Sequence, residues 1–525
     1  MTEPILVNGS WVPGDTDQTF VATDPQTGKG LGTYPVSSWD DVDAALQAGW
    51  DAYRSVASTD PSVFATFLND YADRLDSRAV EICSLAHSET ALPLNPRLLD
   101  VEIPRTTGQL RQAATAALGR AWIRPTINPT QKIASMLRPI PGVAVVFGPN
   151  NFPFAFNGVS GGDFAAAVAS GHPVIAKANP GHPGTTKLLA EEALAAATDA
   201  GLPAAFVQMI YRTDHAVGAK LVSDRRVAAT AYTGSQNAGL ALKAAADAVG
   251  KPIFLEMSST NPLVVLPGAW RERGEELATE IAESMLMGVG QFCTSPGIIL
   301  AAVEEGSDAF AKAIASKLDA ASAGTLLDQR VQTGLSAAYQ AWSAAGAKKV
   351  TESNAKGPGC SFPNTLMRVS AAAFVENHTP LQLEAFGNMG LLVEVPDIAS
   401  LHACIDVLGG SLTGSIYSAA DGADDDTYDA IVEVISERVG RLLNDKTPTG
   451  VAVLSAMNHG GPYPATGHPG FTAVGIPASI ERFGMLQCFD NVRPARLPDE
   501  LKPDNPLGLM RFVDQTWTAN RVSWG

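Results

Sequence analysis

Between residues 143 and 257 the chain alternates short apolar runs with stretches whose apolar positions recur at helical spacing. The runs are VAVVF (143–147), PVIAK (173–177), FVQMIY (206–211), VAATAYTG (227–234) and PIFLEM (252–257). Runs this short, rich in β-branched and aromatic residues, predict buried strands. Between them lie GGDFAAAVASG, residues 183–200 closed by Gly201, and segments near 214–223 and 235–249, all of helical texture. Repeated strand–helix units predict a parallel sheet covered on both faces, with right-handed connections and ligands at the carboxyl ends of the strands.

Upstream, Ser38 precedes WDDVDAALQAGWDAYRSV and predicts a capped helix with acidic residues in its first turn. Further helices are expected over 61–76 and 95–118. A proline-rich extended stretch, 123–141, predicts a hairpin that leaves the body of the domain. A second alternating region runs from about 258 to 440, followed by a mixed tail.

Length adds a prior of roughly three domains at ~100–200 residues each. With 46% hydrophobic and 17% charged residues the chain has an ordinary globular composition. Its net charge of −17 argues against nucleic acid or an anionic membrane as the main partner. The one dense acidic run, Asp421 to Asp426, reads as a solvated loop. The first residues, MTEPILVNGSWVPG, carry neither a basic n-region nor a long apolar run, and no stretch approaches the ~20 apolar residues of a membrane span. A soluble cytoplasmic protein is therefore expected. The five cysteines (Cys83, Cys293, Cys360, Cys404, Cys488) are odd in number, far apart and without a CxxC pair, which excludes a disulfide scaffold and gives no zinc signature.

Four constellations carry chemistry. In GQFCTSPG (290–297), a helical stretch ends at a glycine, then Cys293 precedes Thr-Ser-Pro, which forces a turn. Free N–H groups of such a turn lower a thiol's pKa and hold a developing oxyanion. In GPNNFPF (148–154), Asn151 follows a strand directly, where its amide can complete an oxyanion hole; a turn-forming asparagine pair is the plainer alternative. Glu256, at the end of PIFLEM, is a general-base candidate, or else a cap or salt-bridge partner. In YTGSQNAG (232–239), Gly234, Ser235 and Gly239 form a strand-to-helix turn of the kind that cradles a pyrophosphate, although many tight turns look similar.

Taken in order, GPNNFP, Lys177, GSQNAG, EMSS, GQFC, EAFGN (384–388) and PTGV (448–451) resemble the aldehyde dehydrogenase family across nearly the whole chain. RTTGQLR (105–111), GPNNFPFAFNGVSGGD, HGGPYPATGHPGFTAVG and NPLGLMRFVD (505–514) are similar to one branch, which holds the 2-oxoglutarate semialdehyde (2,5-dioxovalerate) dehydrogenases and NADP-linked long-chain aldehyde dehydrogenases.

The resemblance implies an α/β fold with a Rossmann-type cofactor domain (1–122 and 142–257), an α/β catalytic domain (258–445), and a projecting β element (123–141 with 446–525) that builds a homodimer or homotetramer. It implies Cys293 as nucleophile, Asn151 and the Cys293 N–H as oxyanion hole, and Glu256 as the base that activates water against the thioester. NADP or NAD is the implied cofactor and a small-molecule aldehyde the substrate. Lys177 and Glu384 match the ribose-binding residues, Phe386 lies by the nicotinamide ribose, and Gly234 and Ser235 lie by the pyrophosphate. Pro180 replaces the glutamate by which NAD-preferring relatives bind the adenosine ribose, and Arg212 is a candidate partner for a 2′-phosphate, or else a solvated surface residue.

Three departures stand out. Met257-Ser258 replaces Leu-Gly after the glutamate, which is expected to reshape the nicotinamide end. Asn388 replaces the proline of FGP, which is expected to loosen a turn. Lys177-Ala178-Asn179-Pro180 replaces Lys-x-His-Pro. Competing readings are a retired nucleotide-binding member of the fold, an acyl transferase to coenzyme A, and a papain-type thiol hydrolase. The retained Cys293, Glu256 and Asn151 oppose the first, and Glu256 opposes the second. The third is opposed because no motif sets a histidine beside Cys293.

Overall fold

The computed structural model describes residues 2–302 and 306–524. Ser38 caps the helix Trp39–Ser55 through a reciprocal pair of bonds with Asp41, so the acidic first turn satisfies the helix end as well as its dipole. Asp60 caps Pro61–Ser77, with proline at the first position. The helical stretch expected over 95–118 is two pieces: an irregular π-type turn, Leu94–Glu102, followed by the regular helix Ile103–Gly119.

The five apolar runs form the parallel core of a seven-stranded sheet. Its order is Ile253–Glu256, Val227–Thr233, Val143–Phe147, Val174–Lys177, Val207–Ile210, with Ile5–Val7 and Ser10–Val12 added antiparallel at one edge. The chain runs outward from the Val143 strand, then returns to its other side, so the order reverses between Val143–Phe147 and Val227–Thr233. Ligands bind at such reversals in open α/β sheets. The register aligns Phe147 with Lys177 and Tyr232, and Thr233 with Glu256, so four strand ends open on one edge.

A second seven-stranded sheet has the order Lys348–Lys349, Thr365–Ser370, Met389–Glu394, Ile298–Ala301, Leu263–Val265, Ser411–Tyr417, Val439–Asn444, parallel except for its first pair. The stretch 123–141 holds the antiparallel strands Thr126–Asn128 and Ile133–Pro139. They join Gly484–Asp490, Arg511–Val513 and Thr516–Thr518 in a five-stranded sheet. Together these sheets and their covering helices are the α/β fold expected of the family.

The acidic run 421–426 is only partly a solvated loop. Asp424 is buried and accepts the N–H groups of Gly268, Ala269 and Ala419, tying off the start of the helix Pro267–Leu286. A carboxylate at a helix N-terminus is stabilised by the unpaired N–H groups there, which the charge pattern alone does not reveal.

Candidate active site

A cleft of about 720 Å³ opens at the carboxyl edge of the first sheet and is bounded on the other side by residues 328–335 and 384–386. Lys177, Pro180, Arg212, Gly234, Ser235, Glu384 and Phe386 line it together with Cys293, Glu256 and Asn151. Gly239 does not line it. A side chain there would press on Tyr232 and Met257, at 3.0 and 3.3 Å, so this glycine lets the helix Gln236–Asp247 pack against the strand. Ser235 is the N-cap of that helix, whose first N–H groups form an anion-binding end at the cleft.

Lys177 is largely enclosed. Burial, together with the positive charges of Arg330 and Arg212, lowers its pKa to about 8. Glu384 is raised to about 7 by burial, against hydrogen bonds from Ser258 and the Ser259 N–H. The Ser259 N–H donates to Glu384 Oε1 at 3.4 Å, which places Ser258, one of the departures, beside the glutamate. Asn388, expected to loosen its turn, does the opposite: it is fully buried and its Nδ2 donates to Phe362 O at 2.7 Å and Asn364 Oδ1 at 2.8 Å. Asn179 braces the Lys177 loop by donating to Gly148 O at 3.0 Å and accepting from the Gly181 N–H at 2.9 Å.

The Cys293 turn is held by close backbone contact. Gly290 has φ +68°, and a Cβ there would lie 2.1 Å from Gly387 O, so glycine is required. Asn261 Nδ2 donates to Cys293 O and Ser295 O, both at 2.8 Å. The buried Asn151 donates from Nδ2 to Gln291 O at 2.9 Å, which sets its amide beside the turn. The Cys293 N–H has no acceptor among the described residues.

Two expectations are corrected here. The turn does not lower the thiol's pKa: burial and the negative charge of Glu256 push it well above its usual value, while Arg105 pulls the other way. Nor is the cysteine without a histidine. His459 Nε2 lies 3.4 Å from Cys293 Sγ and 2.9 Å from Glu256 Oε1, and one ligand atom from each of the three lies within 4.8 Å of the others. Glu256 Oε2 has no partner among the described residues.

His459 arrives from 166 residues away in sequence. The tail pairs with the end of the Glu256 strand: the Met257 N–H donates to Ala465 O at 2.8 Å, and the Gly467 N–H to Leu255 O at 3.0 Å. Gly460 and Gly461 follow His459 where any Cβ would collide with Phe471 O or Ser411 O, at 1.9 and 2.4 Å. The HGG of the tail was therefore the available signal: paired glycines beside a histidine mark close backbone approach.

A sequence profile described as "Aldehyde dehydrogenase family" matches residues 11–361. Alpha-ketoglutaric semialdehyde dehydrogenase 2 of Azospirillum brasilense is 34% identical, covering 98% of this chain and 99% of its own. Alpha-ketoglutaric semialdehyde dehydrogenase of Acinetobacter baylyi is also 34% identical, covering 98% of each. The crystal structure of NADP-dependent glyceraldehyde-3-phosphate dehydrogenase from Bacillus halodurans, complexed with NADP, superposes with a TM-score of 0.77 at 20% identity, covering 94% of this chain and all of its own. A half-buried thiol, a carboxylate and an amide converge in the wall of a nucleotide-sized cleft, on a chain that matches two of these relatives over 98% of its length. The protein belongs to the aldehyde dehydrogenase family.

Proposed function

We propose that this aldehyde dehydrogenase oxidises 2-oxoglutarate semialdehyde to 2-oxoglutarate and uses NADP+ at least as well as NAD+. The convergence of Cys293, Glu256 and Asn151 in the cleft wall, with His459 in contact with the first two, carries the dehydrogenase reading. The end-to-end identity with two alpha-ketoglutaric semialdehyde dehydrogenases supports the substrate.

The cleft fits a dinucleotide in volume and chemistry. It has a helix N-terminus at Ser235 for the pyrophosphate, and Lys177 and Glu384 for the riboses. When bound, the cofactor supplies the two-electron acceptor. The chain's own residues do the rest. Cys293 Sγ loses its proton to solvent and attacks the aldehyde carbon as the thiolate, 3.4 Å from His459 Nε2, whose own N–H is committed to Glu256 Oε1. The oxyanion faces the Asn151 amide and the Cys293 N–H. Oxidation leaves a thioester on Sγ. Glu256, anchored to His459 through Oε1, has Oε2 open to take a proton from the attacking water. A glutamate so placed favours hydrolysis over transfer to coenzyme A.

Pro180 brings no charge to the adenosine end, while Lys177, Arg212 and Arg330 share the cleft wall. Cations in place of a carboxylate favour a 2′-phosphate. The exposed Met485 and Leu486 on the strand Gly484–Asp490, at the edge of the five-stranded sheet, support a homodimer or homotetramer. Among the described residues no helix is long and apolar enough to cross a membrane, and a cytoplasmic location remains part of the proposal. Reduced-cofactor absorbance over a panel of semialdehydes and fatty aldehydes, with each nucleotide, tests the reading. A tenfold kcat/KM preference for NAD+, about 1.4 kcal/mol, overturns the cofactor assignment, and preference for a fatty aldehyde overturns the substrate.

A further inference from the structure

Three guanidinium groups bring positive charge to the neighbourhood of Cys293, and two of them are already committed. Arg97 is paired with the fully buried Glu102 and donates to Asn151 O at 3.0 Å. The other Glu102 oxygen accepts the N–H groups of Phe154 and Ala155. Arg441 donates to Pro448 O at 2.7 Å and Gly450 O at 3.0 Å. Arg105, in the first turn of the helix Ile103–Gly119, is different. Its Nε and Nη2 are buried and have no acceptor among the described residues, whereas Arg97 and Arg441 each lack one at Nε alone.

The guanidinium lies over the rings of Phe152 and Phe156, at 5.3 and 5.1 Å. Phe156 lies tilted against His459 at 5.6 Å, and Phe152 meets Phe292, the neighbour of Cys293, edge to face at 5.2 Å. Arg105 is thus one aromatic ring removed from the reacting groups, and its charge acts on the Cys293 thiol. Aromatic faces offset part of the cost of burying a cation but leave its in-plane N–H groups unsatisfied. A carboxylate matches that planar fork with two parallel hydrogen bonds, whereas an alkyl tail would leave the buried charge uncompensated.

We infer that Arg105 is a specificity-determining residue that receives a carboxylate at the far end of the substrate, so that the preferred aldehydes are semialdehydes of dicarboxylic acids. This rests on the dehydrogenase reading above and extends it to the part of the substrate that does not react.

The test is the ratio of kcat/KM for glutaric semialdehyde to that for pentanal, a five-carbon pair differing in the charged end. Relative to the unsubstituted enzyme, Arg105→Met lowers this ratio by about 100-fold or more, the scale of unpairing a desolvated charge. Arg105→Lys, which keeps the charge but loses the fork, falls between. A ratio within about threefold of the unsubstituted value in Arg105→Met overturns the assignment, even if overall activity drops. Calorimetry of glutarate binding to the unsubstituted chain and to Arg105→Met repeats the test without turnover. Binding lost in the variant supports the assignment, and equal binding overturns it. If the chain oxidises no aldehyde yet binds glutarate through Arg105, the dehydrogenase reading fails alone.

Discussion

Asn261→Ala removes the side chain that ties the Cys293 turn to the start of the second sheet. The two carbonyls it satisfies, Cys293 O and Ser295 O, lose their 2.8 Å donor. An orphaned acceptor costs about 1–3 kcal/mol, and both are only partly buried, so the low end of that range applies to each. Asn261 also has φ +45°, a left-handed conformation that asparagine tolerates and alanine resists by about 1 kcal/mol. Ser259 Oγ and Thr413 Oγ1 lose an acceptor too, though hydroxyls can rotate toward others. The sum is about 3 kcal/mol, concentrated in one turn. That turn relaxes more readily than the sheet unfolds, so the loss goes into the placement of the thiol. At 1.36 kcal/mol per tenfold, kcat/KM should fall by about 100-fold. Asn261→Asp should do at least as much, because it points an anionic oxygen at two carbonyls. The assay is steady-state kinetics together with the rate of Cys293 alkylation by iodoacetamide. A kcat/KM within about threefold of the unsubstituted enzyme and an unchanged alkylation rate would refute the reasoning.

Glu256→Gln should leave a burst of reduced cofactor followed by slow turnover, with the steady-state rate lower by about 10²–10⁴, because the base acts after the thioester forms. Stopped-flow absorbance checks this, and equal loss of burst and steady state contradicts it. Lys177 gives a pH dependence whose sign follows from its lowered pKa: the charged form prevails below about 8 and is lost as pH rises through that value. NADP+ affinity should therefore be full below that point and weaken above it, while Lys177→Met binds more weakly below it and shows a flat profile. Fluorescence titration between about pH 7 and 10 measures this, and a pH-independent Kd in the unsubstituted protein counts against the role of Lys177.

The local pattern was enough to locate the strands of the first sheet and the residues at their ends. Burial on both faces leaves a short run of apolar residues that stands out from its neighbours, and a parallel sheet delivers the residue after each run to one edge. Phe147 and the asparagines beyond it, Lys177, Thr233 with Gly234, and Glu256 were therefore readable as neighbours before any coordinate. The GQFC turn was readable because a glycine and a proline bracket the cysteine. These features depend on spacing within about ten residues, where sequence and geometry are tightly coupled.

The rest depended on how distant segments meet. His459 reaches Cys293 only because residues 465–467 pair with 255–257, and the HGG beside the first segment marks a close approach without naming its partner. The thiol's raised pKa follows from the same closure, which buries Sγ beside Glu256. Asn388 looked like a loosened turn because its two acceptors, Phe362 O and Asn364 Oδ1, lie more than twenty residues upstream. Gly239, a pyrophosphate glycine by motif, packs instead on Tyr232 and Met257. Asp424 looked solvated until the helix start at Gly268 came to rest on it. Hydrophobic period and turn chemistry are properties of neighbouring residues, so the chain carried its strands and the ends of those strands openly. Hydrogen-bond partners, desolvation and charge coupling are set by whichever segments share a buried space, and only the folded chain decides which those are.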